Sequence, residues 1–373
     1  MAGTSIRQRR RERTGMREMT MRERMLAAIE GRACDLVPFV QYDNLAGPNG
    51  EMWARIGRNN MGLLAWSAVH RVETPNCRSE NSHFERNGRH GTRTVLHTPE
   101  GSLTQEVIYE PNHGSAVKRE HFVKAPEDYR VLRAYLDDMA VVPDVERFIV
   151  DQRRLGDEGL AMPTMFLTPY QWMWVDWASM EDFAMHLVDC PDAVEQCMEI
   201  MGRHQRAVFE ILRGIPRDVS LPMVNFGDNA TAPLVGERCF RKYCVPWYNE
   251  CAEMLADRGT RVFVHLDGDL KAFWGAMSES KIGGIDSFTP YPANDTRISE
   301  AVSMWPEMTL WVNFPPATHL SGPKAVYEKA CEILEEAGHT KRLQIQVSED
   351  ILHDVWRESF PEIARAIREF GAP

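Results

Sequence analysis

The segment VFVHLDGDL, residues 262–270, joins a short apolar run to a histidine and two carboxylates. His265 and Asp267 are two positions apart, and Asp269 follows after a glycine. Imidazole and carboxylate groups bind divalent metal ions and also act as general acids and bases. A buried strand that ends in these groups therefore indicates a catalytic or metal-binding site. Asp269 is the exception, because aspartate is a favoured cap for the helix predicted over residues 270–280.

Polar residues also follow most of the other short apolar runs, which lie at residues 36–43, 161–168, 219–227, 283–288, 308–314 and 342–348. The residues at or just beyond their ends are Asp43, Asn44, Tyr170, Asp228, Asn229, Asp286, Asn313, Ser348 and Glu349. Each one alone suits an ordinary turn. A set that also holds a histidine and several carboxylates is harder to explain by turns alone.

The order of these runs predicts the fold. They alternate with helical patterns, such as residues 190–214, and are apolar enough for strands of a parallel sheet covered on both faces. Seven strands can be counted, and we expect an eighth within residues 44–120. This pattern favours a (β/α)8 TIM barrel, with an N-terminal helical extension and a β-hairpin insertion at residues 91–109. Active sites of such barrels lie at the carboxyl ends of the strands, which makes the strand-end residues candidates.

Composition excludes several classes of function. The formal net charge of −11 argues against a nucleic-acid partner. Residues 7–24 hold eight arginines, which we interpret as a solvated leader and the first turns of a helix. We expect residues 1–19 to form a basic arm and residues 20–373 a single domain.

The sequence shows neither a membrane-spanning run nor a signal peptide, and its eight cysteines form no CxxC pair, so we expect a cytoplasmic protein with reduced thiols.

The segment TPYQWMWVDW, residues 168–177, has the most unusual composition in the chain. One interpretation is a helix face that packs on the barrel. The other is an aromatic wall of the barrel mouth, formed by Tyr170, Trp172, Trp174 and Trp177. Such a wall would hold a flat aromatic substrate by stacking or a quaternary ammonium by cation–π contact.

Three segments, residues 20–40, 226–269 and 347–367, resemble the uroporphyrinogen decarboxylase superfamily. The resemblance implies a TIM barrel across nearly the whole chain. True decarboxylases of this superfamily carry an arginine-rich loop after the first strand, which binds substrate carboxylates. Here residues 41–50 read QYDNLAGPNG and contain no arginine, so the resemblance disfavours decarboxylation of a porphyrinogen.

The chain is more similar to the corrinoid-dependent methyltransferase branch of this superfamily. Members that act on thiols bind zinc through H-x-C after the fifth strand and a cysteine after the last. Carried over, His265 matches the histidine, Asp267 stands in place of the first cysteine, and Glu349 in place of the second. The resemblance therefore implies a divalent metal ion, with zinc favoured, held by His265, Asp267 and Glu349. An oxygen-rich ligand set leaves the ion a stronger Lewis acid, which suits cleavage of an ether.

From this resemblance we expect a methyltransferase that takes a methyl group from a small donor, a methoxylated aromatic or other methyl ether being favoured. The acceptor would be the Co(I) corrinoid (cobalamin) of a separate protein. The catalytic candidates are His265, Asp228 and Tyr170, and the substrate-binding candidates are Asn229, Trp172, Trp174, Asp43 and Asn313. Two alternatives stay open, a metal-independent lyase and a non-catalytic binding protein. The sequence leaves the oligomeric state open, with a homodimer among the options.

Overall fold

The computed structural model of the chain describes residues 17–110 and 115–371. The described residues form two compact units. The barrel unit contains the residues up to Ala68, residues 146–164 and the residues from Pro216 onward. The insertion unit contains residues 69–145 and 165–215. Most of the predicted basic arm, residues 1–16, lies outside the described residues, and the prediction of one domain over residues 20–373 stays a prediction.

The strands of the described chain are β1 (Phe39–Tyr42), β2 (Gly62–Ala68), β3 (His70–Glu73), β4 (Arg78–Arg86), β5 (Arg89–Thr98), β6 (Gly101–Tyr109), β7 (Ala116–Glu120), β8 (Ala140–Pro143), β9 (Gly159–Thr164), β10 (Met223–Phe226), β11 (Arg261–His265), β12 (Gly284–Phe288), β13 (Thr309–Asn313) and β14 (Leu343–Val347). The α-helices are α1 (Met21–Glu30), α2 (Asn49–Ile56), α3 (Asp128–Asp138), α4 (Val145–Leu155), α5 (Pro169–Trp172), α6 (Met180–Asp189), α7 (Pro191–Gly214), α8 (Ala232–Cys239), α9 (Val245–Met254), α10 (Trp274–Ser278), α11 (Ile298–Met304), α12 (Pro323–Ala337) and α13 (Trp356–Phe370).

The barrel unit contains eight parallel strands in the order β10-β11-β12-β13-β14-β1-β2-β9. The predicted (β/α)8 barrel is confirmed, and its eighth strand is β2. The row is nearly closed, because Asn225 of β10 places Nδ2 4.0 Å from Sδ of Met162 in β9. The predicted fifth strand, which carries His265 at its end, is β11.

The N-terminal helix α1 closes one end of the barrel. It begins with a capping box between Thr20 and Glu23, which satisfies otherwise unpaired backbone N–H groups. The core cluster joins apolar side chains of α1 to inward-facing side chains of the strands: Met21, Met25, Ile29, Val40, Leu64, Leu160, Met162, Met223, Phe263 and Trp311. A Cβ on Gly62, the first residue of β2, would lie only 2.3 Å from Cγ of Met21. The helix therefore covers the amino ends of the strands, and the carboxyl ends form the opposite mouth.

Two described arginines of the basic segment, Arg22 and Arg24, make buried or partly buried contacts within the barrel unit. Arg24 is buried and forms an ion pair with Asp35, with 2.7 Å between NH2 and Oδ2. Arg22 donates to the carbonyl oxygen of Gly159 at 3.0 Å. These contacts agree with the interpretation of residues 20–24 as the start of a helix.

The insertion unit is larger than the sequence predicts. Strands β5 and β6 form the expected hairpin, with Thr98 opposite Gly101. The structure extends it to a four-stranded antiparallel sheet in the order β4-β5-β6-β7. A separate antiparallel pair joins β3 to β8. Most side chains of β4 are exposed and polar, so this strand lacks the apolar pattern by which a strand is recognised in a sequence.

Candidate active site

A completely buried carboxylate, that of Asp286 in β12, lies at the centre of the polar groups in the mouth of the barrel. Its Oδ2 atom is 2.5 Å from the hydroxyl of Tyr42, 2.6 Å from Nδ2 of Asn225 and 3.0 Å from Nδ1 of His265. Its Oδ1 atom is 2.7 Å from Nε2 of Gln346. Strands β1, β10, β11 and β14 thus each contribute one group to this carboxylate.

The charge of Asp286 fixes the direction of these hydrogen bonds. Burial alone would raise its pKa, but the hydrogen bond and charge of His265, with hydrogen bonds from Tyr42 and Gln346, leave the pKa below its ordinary value. An ionised carboxylate only accepts hydrogen bonds. His265 must therefore carry a proton on Nδ1, and in its neutral form it presents the lone pair of Nε2.

The Nε2 side of His265 faces the carboxylate of Asp267, and Glu349 interacts with both residues. Oδ2 of Asp267 lies 3.9 Å from Nε2. The pKa of Glu349 is raised, first by burial and then by the negative charge of Asp267, so the two carboxyl groups are close neighbours. Burial lowers the pKa of His265, but Asp286, Asp267 and Glu349 outweigh that effect and leave it raised. The structure thus brings together the three residues predicted as metal ligands.

The donor types of this group fit a divalent metal ion. One imidazole nitrogen and two carboxylates are common zinc ligands, and a buried carboxylate on the far ring nitrogen is the usual support for such a histidine. Within residues 17–110 and 115–371, however, no three His, Cys, Asp or Glu side chains are arranged so that they could hold a metal ion. The three side chains therefore have donor atoms that suit a divalent ion, but in the described part of the chain they are not arranged to bind one.

Asp269 does not have its predicted role. The helix expected over residues 270–280 is split into a 3₁₀ turn, Lys271–Phe273, and the short helix α10. The backbone N–H groups of Leu270 and Lys271 donate to Asp295, at 2.8 and 3.1 Å, and not to Asp269. Asp269 instead accepts a hydrogen bond at its backbone oxygen from the N–H of Ala232. The predicted cap by Asp269 is wrong, because Asp295 of a later loop accepts these hydrogen bonds.

Asp228 and Asn229 follow β10, as predicted. Asp228 is buried, and its Oδ2 atom accepts a hydrogen bond of 2.6 Å from the hydroxyl of Tyr248 in α9. Asn229 is exposed and has a positive φ of 49°, which asparagine tolerates better than most residues. The structure shows these local roles, and contact with a substrate stays a prediction for both.

Asp43 and Asn313 are engaged in contacts within the barrel unit. Asp43 accepts hydrogen bonds from Nδ2 of Asn49 at 2.7 Å and from Arg154 at 3.0 Å. Asn313 is completely buried and accepts a hydrogen bond from the backbone N–H of Ser348 at 3.2 Å. Asn313 therefore positions the residue before Glu349, and substrate binding by Asp43 and Asn313 stays a prediction.

The aromatic segment lies in the insertion unit. Tyr170 packs edge-on against Phe183, with ring centroids 5.1 Å apart. Trp172 stacks on Phe166 at 4.5 Å and is buried. Trp174 is half-buried and donates to Oε1 of Gln171. These contacts pack Tyr170 and Trp172 against residues of the insertion unit itself. Packing on the barrel, the aromatic wall and a catalytic role for Tyr170 stay predictions.

Sequence reasoning overlooked three partners of Asp286, namely Tyr42, Asn225 and Gln346. Each is a polar residue of a short strand that also carries apolar residues. Tyr42 stands two positions after the buried, inward-facing Val40, and side chains two apart share a face of the strand. This two-residue spacing from Val40 would have predicted that Tyr42 faces the interior of the barrel.

No helix among the described residues is long and apolar enough to cross a membrane.

A methyltransferase from Methanosarcina mazei shares the fold, with 13% sequence identity, a TM-score of 0.57, and coverage of 95% of this chain and 99% of that chain. A B12-independent methionine synthase from Shewanella sp. W3-18-1 is 10% identical with a TM-score of 0.38, over 80% of this chain and 76% of that chain. A search of curated proteins finds no significant match. Residues 177–370, more than half of the chain, match the family profile described as uroporphyrinogen decarboxylase (URO-D), so the chain belongs to the URO-D family.

Proposed function

We propose that this chain is a methyltransferase that removes the methyl group of a small methyl ether, with a methoxylated aromatic as the favoured donor. The acceptor is the Co(I) corrinoid of a separate protein. Membership of the URO-D family and a fold shared with the Methanosarcina mazei methyltransferase support this class of activity. The observation that carries the proposal is that Asp286 fixes His265 so that Nε2 faces Asp267, with Glu349 close to Asp267.

In this proposal His265, Asp267 and Glu349 hold a divalent metal ion, with zinc favoured. When bound, the ion polarises the ether oxygen and makes the phenolate or alkoxide a better leaving group. The corrinoid supplies the nucleophile that accepts the methyl group. The missing thiolates matter, because an oxygen-rich set leaves more positive charge on the ion than two cysteines would.

The chain's own residues do three things in this proposal. Asp286 holds the Nδ1 proton of His265 and so keeps Nε2 directed into the mouth. Tyr42, Asn225 and Gln346 hold Asp286 itself in place. The buried floor formed by the core cluster keeps bulk water away from the side opposite the donor.

The test combines elemental analysis with a methyl-transfer assay. The purified protein is analysed for metals before and after chelator treatment, and its transfer to free cob(I)alamin is measured over a panel of aryl ethers, alkyl ethers, methylamines and thiols. We expect about one divalent ion per chain and transfer from ethers. His265→Ala should lower both metal content and transfer, whereas Asp269→Asn, close by in sequence, should retain them.

The alternatives give different results. A metal-independent lyase would contain no metal under any loading condition and would act without cob(I)alamin. A non-catalytic binding protein would bind small molecules and transfer no methyl group. Unchanged metal content and turnover in His265→Ala would overturn the proposed site.

A further inference from the structure

Trp66, in β2, faces the interior of the barrel. Leu64, two residues earlier, is completely buried in the core cluster, and side chains two apart share a face of a strand. Trp66 is also the register partner of Met162, another member of that cluster. Trp66 therefore lies on the inner face, one step nearer the carboxyl end than Leu64.

Trp66 is nevertheless 41% exposed. Its neighbours along the strand, Ala65 and Ser67, are 4% and 1% exposed. A single exposed apolar residue on an outer surface is ordinary. A tryptophan on the inner face of a barrel strand is different, because it is accessible only where the barrel opens at its mouth.

The exposed ring of Trp66 lies beside the polar groups of the candidate site. Its centroid is 6.1 Å from that of Tyr42, and the two rings are inclined by 67°. The hydroxyl of Tyr42 is in turn 3.4 Å from Nδ1 of His265 and 2.5 Å from Oδ2 of Asp286. One aromatic ring thus separates Trp66 from the histidine, and the edge-on contact leaves a face of Trp66 uncovered by Tyr42.

We propose that Trp66 is the platform on which the flat ring of an aromatic methyl donor stacks. This inference rests on the proposed function and names the residue that makes an aryl ether a better donor than an alkyl ether. An exposed indole face gains stacking energy from a second flat π-system, and a saturated ring of equal size gains only the burial of its surface. Trp66 is thus a specificity-determining residue of the barrel unit.

The test compares two ligands that differ in flatness. Isothermal titration calorimetry measures the Kd of anisole and of cyclohexyl methyl ether, which have the same skeleton, for the wild type and for Trp66→Leu and Trp66→Phe. We expect Trp66→Leu to weaken anisole binding about 2- to 12-fold, the range of an aromatic pair, and to change binding of the saturated ether by less than that. Trp66→Phe keeps a flat ring and should retain most of the affinity for anisole.

Tyr291→Leu is the matched control, since Tyr291 is an aromatic residue of the barrel unit with 48% exposure that contacts Arg297 instead. It should change neither Kd. The unfolding midpoint of each variant shows whether that variant is folded. If Trp66→Leu does not fold, Trp66→Phe still tests the inference.

Two results would overturn the inference: no binding of anisole to the wild type, or an equal loss for both ethers in Trp66→Leu. This binding assay needs neither metal nor corrinoid, so its result is independent of methyl transfer. If the wild type transfers no methyl group but Trp66→Leu selectively loses anisole binding, the proposed function is refuted and the stacking role of Trp66 is retained.

Discussion

The Nδ1 atom of His265 lies 3.0 Å from Oδ2 of Asp286, whose side chain is completely buried. A single carboxylate inside the barrel therefore decides which ring nitrogen of His265 faces the mouth. The tautomer of a histidine is set by the hydrogen bond of its other nitrogen. This arrangement makes the residue behind the histidine as important for the site as the histidine itself.

Asp286→Asn should remove the carboxylate that sets the tautomer of His265. An amide carries no charge and presents N–H donors toward the other donors around it, so at least one hydrogen bond is lost. We expect methyl transfer to fall by about 10- to 100-fold, the usual effect of losing the support of a metal-ligating histidine. The tautomer of His265, measured by ¹⁵N NMR, should become mixed. Asp269→Asn should change neither, and a wild-type rate and tautomer in Asp286→Asn would contradict the role of Asp286.

Tyr42→Phe should affect stability more than the tautomer. The phenylalanine ring keeps the packing of Tyr42 against the core cluster but removes the hydroxyl that donates to Asp286 at 2.5 Å. A hydrogen bond to a charged group contributes about 1.5–3 kcal/mol, and we expect a loss of that size in urea unfolding. His265 should keep its proton on Nδ1, because Asp286 stays ionised. The exposed Tyr291→Phe should leave stability unchanged, and a changed His265 tautomer in Tyr42→Phe would show that Asp286 alone does not set it.

The fold was predictable because the strands of a covered parallel sheet are short and continuously apolar. This pattern predicts strands at residues 260–267 and 342–348 and places His265 at the end of its strand, where the structure has it. The eighth strand, β2, could be placed only within a broad range. Its register against β1 and β9 became clear only in the structure.

The centre of the site was less predictable, because it depends on which strands are neighbours. Asp286 was recognised only as one strand-end residue among many. Its importance comes from Tyr42 and Gln346, which are 244 and 60 positions away in the chain. The loop contact from Asp295 to Leu270, 25 positions apart, escaped prediction for the same reason. Local patterns identify residue types and faces of strands, but not the pairing of distant side chains.

The paired substitution Asp267→Cys with Glu349→Cys should change the metal preference of the mouth. Thiolates favour zinc over hard ions such as magnesium and manganese. We expect the double variant to bind Zn²⁺ more tightly relative to Mn²⁺ than the wild type does, measured by competition with a chromophoric chelator. Asp267→Asn with Glu349→Gln is the matched control and should weaken both ions. A preference unchanged from the wild type in the cysteine pair would show that these positions do not ligate metal.

The stability of the barrel unit should depend on pH through His319. This residue is buried, its Nδ1 atom is 2.8 Å from Oγ of Ser359, and its Nε2 atom has no hydrogen-bond partner among the described residues. Burial lowers its pKa to about 4. The unfolded chain, with an ordinary histidine pKa of about 6.5, therefore binds this proton more readily than the folded chain does. Stability is complete above about pH 6.5 and is lost as the pH falls toward 4, by about 1.4 kcal/mol per unit.

His319→Gln removes the titrating ring and keeps an amide near Ser359. Urea unfolding at pH 7 and pH 5 should show that the wild type loses about 2 kcal/mol more than this variant over that interval, since the interval below 6.5 spans about 1.5 units. His353→Gln, at a side chain that is 94% exposed, is the control and should follow the wild type. Equal pH dependence in His319→Gln and the wild type would mean that the folded chain protonates His319 as easily as the unfolded chain does. The space around Phe314 and Ser359 would then have to admit water, because a buried imidazolium needs a partner for the proton on Nε2.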